Sequence, residues 1–344
     1  MHFAVFQNWG LGDLVMTTPV IAEFRRIHPE AKLTLVVQGS AQAALMKDSP
    51  LVDQILIMPP RSDRSGLFRF FLGLRNQRID VAFVGTRISA LLPFLLKVLT
   101  GVGVIVGDGD KFPLLYAVLN SIDPKVHRVD RMLETFAMWS GQPTATPCFP
   151  LPCSAVSVAE ARVELANAGL NSGKFVIIHP GSSVSAGTDK RIPVEVARRM
   201  AGEILDLRAD LSIAYIFGPD EVDLIPKFTD CDERQAILSG HSLATTIAII
   251  TLAAGLIGTD SSLGHIAAAF GIPTITLCGP TIPTETAPYG SNARVVMRLR
   301  ELECQPCWGT PLYGHCPFEV RCMNELPESE VVTMAAAWDA LDAR

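Results

Sequence analysis

Short apolar runs alternate with segments of helical spacing along most of the chain. Residues 3–7 form one such run, residues 14–28 place apolar side chains at helical spacing, and residues 33–37 are rich in β-branched side chains. This sequence reads as a β-α-β unit, whose two strands lie parallel. Further apolar runs at 54–57, 81–84 and 102–106 are separated by helix-length segments, the alternation of a doubly wound α/β layer. The pattern breaks at 142–152, where Pro143, Pro147, Pro150 and Pro152 fall close together. Fixed φ angles and missing N–H groups suit that stretch to an extended linker. It then restarts, with helices at 158–168 and 194–207 and strands at 175–179, 212–217, 255–258 and 274–278. A helix over 331–343 closes the chain. The expected division is one α/β domain over 1–155, a second over 156–325, and a terminal segment over 326–344.

Length supports this division, because 344 residues exceed the ~250–300 at which one core usually stops growing. With 49% apolar and 19% charged residues, the composition is that of a globular protein and excludes a disordered or fibrous one. Charge divides unevenly: residues 1–155 carry 15 Lys+Arg against 12 Asp+Glu, the rest 14 against 23. An anionic partner is therefore expected on the first half. No dense basic stripe occurs, so nucleic acid is not an expected partner. The first residues show no basic, apolar, small-residue signal pattern, and a cytoplasmic location is expected. Residues 90–106 are the most apolar stretch, but Pro93, Lys97, Gly101 and Gly103 interrupt them. They fall short of the ~20 residues of a spanning helix. The eight cysteines are expected to be mostly reduced and buried.

Candidate chemistry sits where predicted strands end. Asn8-Trp9-Gly10-Leu11-Gly12-Asp13 follows the first strand, where an open α/β sheet places its ligand crevice and glycines admit a close approach. Asp13 is either a helix N-cap or a general base at that crevice. His179-Pro180-Gly181-Ser182-Ser183 follows the first strand of the second half, and Thr188-Asp189-Lys190-Arg191 precedes a helix. Ser182, Ser183 and Thr188 with Lys190 or Arg191 suit a diphosphate. Thr259-Asp260-Ser261-Ser262-Leu263-Gly264-His265 again joins a strand to a helix, aiming the amides of Ser261 to Gly264 at an anion. A third turn, Gly279-Pro280-Thr281, ends the next strand.

Together these segments resemble the family-nine glycosyltransferases, typified by ADP-heptose:lipopolysaccharide heptosyltransferases, over nearly the whole chain. The resemblance rests on Gly-x-Gly-Asp at Gly10, Gly12 and Asp13, His-Pro-Gly at 179–181 with Lys190 downstream, the Asp260-Ser261 turn ending at His265, and Gly-Pro-Thr at 279–281. It implies a GT-B fold: two facing Rossmann-like domains, acceptor on the first, donor on the second, and a C-terminal helix crossing back to the first. It also implies inversion of configuration, no required cofactor or metal, a nucleotide-diphosphate sugar donor, and an anionic lipopolysaccharide-core acceptor met at the inner membrane surface. Asp13 would then be the base. Lys190 and the amides around Ser261 would hold the departing diphosphate, Asp260, Ser262, Gly264 and His265 would complete the donor turn, and Asp220 or Glu221 would contact the ribose. Two positions depart from the family pattern: Ser262 replaces a glycine, and Ile192 stands where many members have Trp.

On the acceptor side, Gly12, Arg61, Arg64 and Arg128 are the candidates, with Lys125, His127 and Arg131 beside the last as a second basic group. Phe68, Phe70, Phe71, Leu72 and Leu74 read as a core-facing helix, with a membrane-resting face as the alternative. Cys304, Cys307, Cys316 and Cys322, with His315 adjacent, have a spacing compatible with zinc, while buried thiols or a redox-labile pair are adequate explanations. Following the last predicted strand, this cluster is expected to lie away from the donor loops. Two other functions use the same features: a nucleotide-sugar epimerase, and a zinc-stabilised nucleotide-binding protein without turnover.

Overall fold

A computed structural model describes residues 1–85, 91–109, 112–184, 187–230, 232–300 and 302–338, without the side chain of residue 91. The chain divides into two compact units, Met1–Pro152 and Cys153–Arg344. The first holds strands β1 His2–Gln7, β2 Lys32–Val37, β3 Gln54–Ile57, β4 Val81–Val84, β5 Val104–Asp108 and β6 Val118–Asn120. The second holds β7 Phe175–His179, β8 Ser212–Phe217, β9 Gln235–Ser239, β10 Gly255–Thr259, β11 Thr274–Leu277 and β12 Ala293–Val296. Each set forms one sheet, in the orders β3-β2-β1-β4-β5-β6 and β9-β8-β7-β10-β11-β12. Every pairing is parallel. Both halves therefore repeat the 3-2-1-4-5-6 order of a Rossmann sheet, which reverses direction between the first and fourth strands.

Helices connect the strands. In the first unit they are α1 Leu11–Ile27, α2 Ser40–Met46, α3 Arg64–Arg75, α4 Leu91–Leu95 and α5 Arg128–Ser140, with a π-helical stretch, Leu96–Thr100, following α4. In the second they are α6 Ala155–Asn167, α7 Val194–Leu207, α8 Leu243–Thr251, α9 Ser262–Ala269, α10 Pro283–Thr286, α11 Arg321–Asn324 and α12 Glu328–Ala336. Among the described residues no helix is long and apolar enough to cross a membrane.

The central strands are buried along their whole length, as in β1, β7 and β10, which explains their continuous apolar runs. Three strands went unforeseen: β6, β9 and β12. Each lies at or next to solvent as an edge strand and lacks such a run. In α1, Pro19 sits inside the helix and has no N–H for the carbonyl of Val15. Thr18 Oγ1 donates to that carbonyl at 2.8 Å instead, so the helix continues.

Over its described residues the terminal helix packs on the second unit. Its described part, α12, buries Val331, Val332 and Ala335 in the core of the second unit with Val196, Met200 and Ile204 of α7. Arg199 on α7 also pairs with Glu328 at 2.7 Å. Beyond α12, Trp338 lies flat on the start of β10: a Cβ on Gly255 would stand 2.1 Å from its ring. Arg208 ties this end down by donating to the carbonyls of Ala336 and Trp338 at 2.7 and 3.0 Å. The remainder of the helix expected at 331–343 lies outside the described residues from 339 onward.

Candidate functional site

The loops that follow β7 and β10 leave neighbouring strands at the point where strand order reverses, which is where an open α/β sheet binds ligands. They are stitched together. Lys190 Nζ donates to the carbonyl of Asp260 at 2.7 Å, and Thr259 Oγ1 donates to the carbonyl of Lys190. Ser261 is the extended N-cap of α9, yet its hydroxyl makes no cap bond. That oxygen is buried without a hydrogen-bond partner. A buried hydroxyl and first-turn amides left open at a positive helix end form a cradle suited to a phosphate. His265 is buried on α9, its Nε2 3.9 Å from Asp260 Oδ1, and it faces the same turn. Gly264 serves packing: a Cβ there would meet Pro288 at 3.2 Å. Ser262 begins the helix.

Other predicted donor residues are occupied in holding the loop together. Ser182 is buried and donates to the carbonyl of Gly187 at 2.9 Å, so it closes the turn. Arg191 pairs with Asp223 at 2.8 Å and donates to the carbonyls of Ser182 and Asp220, leaving Lys190 as the cation of the pair nearest the cradle. Thr188 is exposed and Ser183 half-buried. Of the two ribose candidates, Asp220 is exposed. Glu221 is buried, accepts from Gly218 N–H at 2.6 Å and lies 3.5 Å from His179 Nε2. Gly181 rests on it, since a Cβ would stand 2.3 Å from its carboxyl carbon. Ile192, at the position that departs from the family pattern, is a core side chain. Burial and nearby Asp260 push the Cys278 thiol far above its ordinary range, making it a neutral packing group.

In the first unit, Asp13 enters the first turn of α1 and accepts from Gly10 N–H at 3.1 Å. Its other oxygen is ion-paired with Arg128, whose guanidinium is buried. Arg128 is thereby placed against Asp13. Its neighbours do not form the expected basic patch. Arg131 is buried and bonds Asp108 at 2.8 Å, and His127 caps α5 by accepting from Val129 N–H. Burying a charge requires a partner, and these side chains found one within the fold. Gly12 lies in the first turn of α1. Arg61 and Arg64 are exposed, at and just before the start of α3.

The cysteine-rich segment lies against the donor loops, contrary to the expectation that it stands apart. Cys307 and Trp308 N–H donate to the carbonyl of Pro280 at 3.1 and 2.9 Å, and Gln305 donates to that of Gly279 at 2.8 Å. Gly314 N–H donates to Asp189 at 2.8 Å. The ring of Tyr313 fills the space over Gly187, where a Cβ would stand 2.5 Å away. Burial, with Asp189, Cys307 and Asp260 nearby, raises the Tyr313 phenol well above its usual range. Short-range turns of sequence gave no sign of these contacts. The four thiols are free and close enough to interact: burial, aided by Cys307, Cys316 and Cys304, pushes Cys322 up to about 11. Among the described residues, however, no group of three or more His, Cys, Asp or Glu side chains is placed to hold a metal ion.

Two Rossmann-like units, one carrying an anion cradle at its switch point, define a doubly wound protein of the GT-B class. The chain belongs to glycosyltransferase family 9 (heptosyltransferase), which it matches over residues 67–312. Lipopolysaccharide heptosyltransferase 1 of Pseudomonas aeruginosa is 25% identical to it over 323 residues, spanning 89% of this chain and 86% of that protein. Among solved structures, a family 9 glycosyl transferase of Veillonella parvula superposes with a TM-score of 0.79 at 19% identity, covering 97% of this chain and 96% of the other. An E. coli heptosyltransferase solved with ADP gives 0.68 at 22% identity, covering 86% and 92%.

Proposed function

We propose that this enzyme transfers a heptose from ADP-heptose, with inversion, to the inner core of lipopolysaccharide. The observation that carries the reading is the unpartnered Ser261 hydroxyl at the open N-terminus of α9, beside Lys190 and Asp260. A diphosphate supplies the acceptor oxygens that this cradle lacks. As the bond to the anomeric carbon breaks, charge grows on the leaving diphosphate, and donors fixed in advance favour that state over the ground state. Family membership and relatives that act on lipopolysaccharide, one solved with ADP, support the choice of donor.

Asp13 is the base in this reading. Arg128 holds it oriented, so that it accepts the proton of the acceptor hydroxyl as that oxygen attacks. The proton ends on Asp13 and the electron pair of the broken bond on the diphosphate. Arg61 and Arg64 meet the anionic acceptor, which brings the enzyme to the inner membrane surface from the cytoplasmic side. Asp220 or Glu221 contacts the ribose, and no step calls for a metal. The epimerase alternative lacks support in the family match, and a non-catalytic binder has no use for an oriented Asp13.

The test is incubation with a panel of nucleotide sugars and a truncated lipopolysaccharide acceptor, followed by mass spectrometry. Gain of one heptose from ADP-heptose is expected. Transfer from another donor, or donor epimerisation without acceptor, would replace this assignment.

A further inference from the structure

The first unit contains a cavity of about 460 Å³, within the size range of small-molecule sites. Phe68 and Phe71 of α3 line one side, and Leu92, Leu95 and Leu99 of α4 and the π-helical stretch line the other. Its walls are hydrocarbon, but Arg61 and Arg64 also line it, both exposed and neither in an ion pair among the described residues. Around it, α3 shows Phe68 and Leu72 to solvent and the opposing helical stretch shows Phe94 and Val98, each pair one turn apart on its helix. The cavity also reaches Asn8, whose Oδ1 is buried without a partner and which follows the last residue of β1 on the way to Asp13. π-Helical turns recur at functional sites because they open the regular ladder.

We propose that this cavity binds an acyl chain of a phosphorylated glycolipid, with the glycolipid's phosphate on Arg61 and Arg64. Charge and shape select this occupant. A hydrocarbon wall excludes a saccharide, whose hydroxyls would lose their hydrogen bonds there, while two unpaired guanidiniums call for a bidentate anion. A sugar carrying both a phosphate and an ester-linked chain presents the two within a few bonds of each other. The inference rests on the acceptor reading given above and extends it: the enzyme recognises the lipid anchor as well as the core sugars, and Asn8 marks the end of the cavity from which the saccharide continues toward Asp13.

The first experiment needs no variant. Transfer is measured to an acylated, phosphorylated acceptor dispersed in detergent and to the same acceptor after complete deacylation. At least a tenfold lower KM for the acylated form is expected, and the preference should fall toward unity in Leu99→Trp, which fills the cavity. Equal KM values for the two acceptors overturn the inference and leave heptose transfer standing. A preference that survives Leu99→Trp also overturns it, assigning the effect to the open surface. If neither acceptor is used, the acceptor reading fails, and the cavity is decided by direct titration with a twelve-carbon lysophosphatidic acid below its micelle concentration. Calorimetric binding that weakens at least tenfold in Leu99→Trp and in the Arg61→Ala, Arg64→Ala pair supports the cavity, and absent binding refutes it. Leu95→Trp provides the second filling variant if circular dichroism shows Leu99→Trp unfolded.

Discussion

Replacing Ser261 by alanine should make the protein more stable and a worse enzyme. The hydroxyl is buried with no hydrogen-bond partner, and such a group costs about 1–3 kcal/mol in the folded state. Because the residue as a whole is only half-buried, the lower end applies. Alanine should therefore stabilise the unliganded second unit by about 1 kcal/mol, raising its melting temperature by about 2–4 °C for a unit of this size. With ADP the sign reverses. A hydrogen bond to a charged phosphate contributes about 1.5–3 kcal/mol, so ADP affinity should fall roughly 10- to 150-fold. Differential scanning calorimetry without ligand and titration calorimetry with ADP read the two effects separately. Damage to the loop would lower both melting temperature and affinity. Lower stability in Ser261→Ala, or unchanged ADP affinity, would refute the cradle.

Asp13→Asn should abolish transfer while leaving ADP affinity at the parental value, since an amide cannot accept the acceptor's proton. It also removes the carboxylate charge that faces buried Arg128, so a melting curve must accompany the rate, and near-parental turnover would rule out the base. Lys190→Ala should weaken ADP binding by about 1.5–3 kcal/mol, an effect absent when adenosine replaces ADP in the titration. Gly187→Ala should raise the donor KM more than it lowers kcat. The new Cβ meets Tyr313, and φ there is +81°, a conformation costly for alanine. Steady-state kinetics with unchanged KM would show that Tyr313 does not shape the loop.

The sequence was most legible where burial was complete. β7 and β8 were readable at their observed bounds because every position, or all but one, is buried, and such strands read as unbroken apolar runs. β6, half-buried throughout, and β12, exposed at two of its four positions, carried no such run. Among the candidate residues, local signals pointed to Asp13 and Ser261 by their places just after strands, and to Lys190 by its place before a helix. They did not show which polar side chains are consumed by the fold. Arg128 meets Asp13 across 115 positions of chain, and Ser182 and Arg191 close their own loop. The packing of Tyr313 on Gly187 is equally non-local, and no motif encodes it.

Trp338 covers the opening residue of β10, while Asp260 and Ser261 stand just past that strand's last residue. One five-residue strand thus carries the plug of the fold at one end and the donor cradle at the other. A substitution that disturbs the Trp338 packing therefore acts at the opposite end of the strand from one that alters the turn at Asp260.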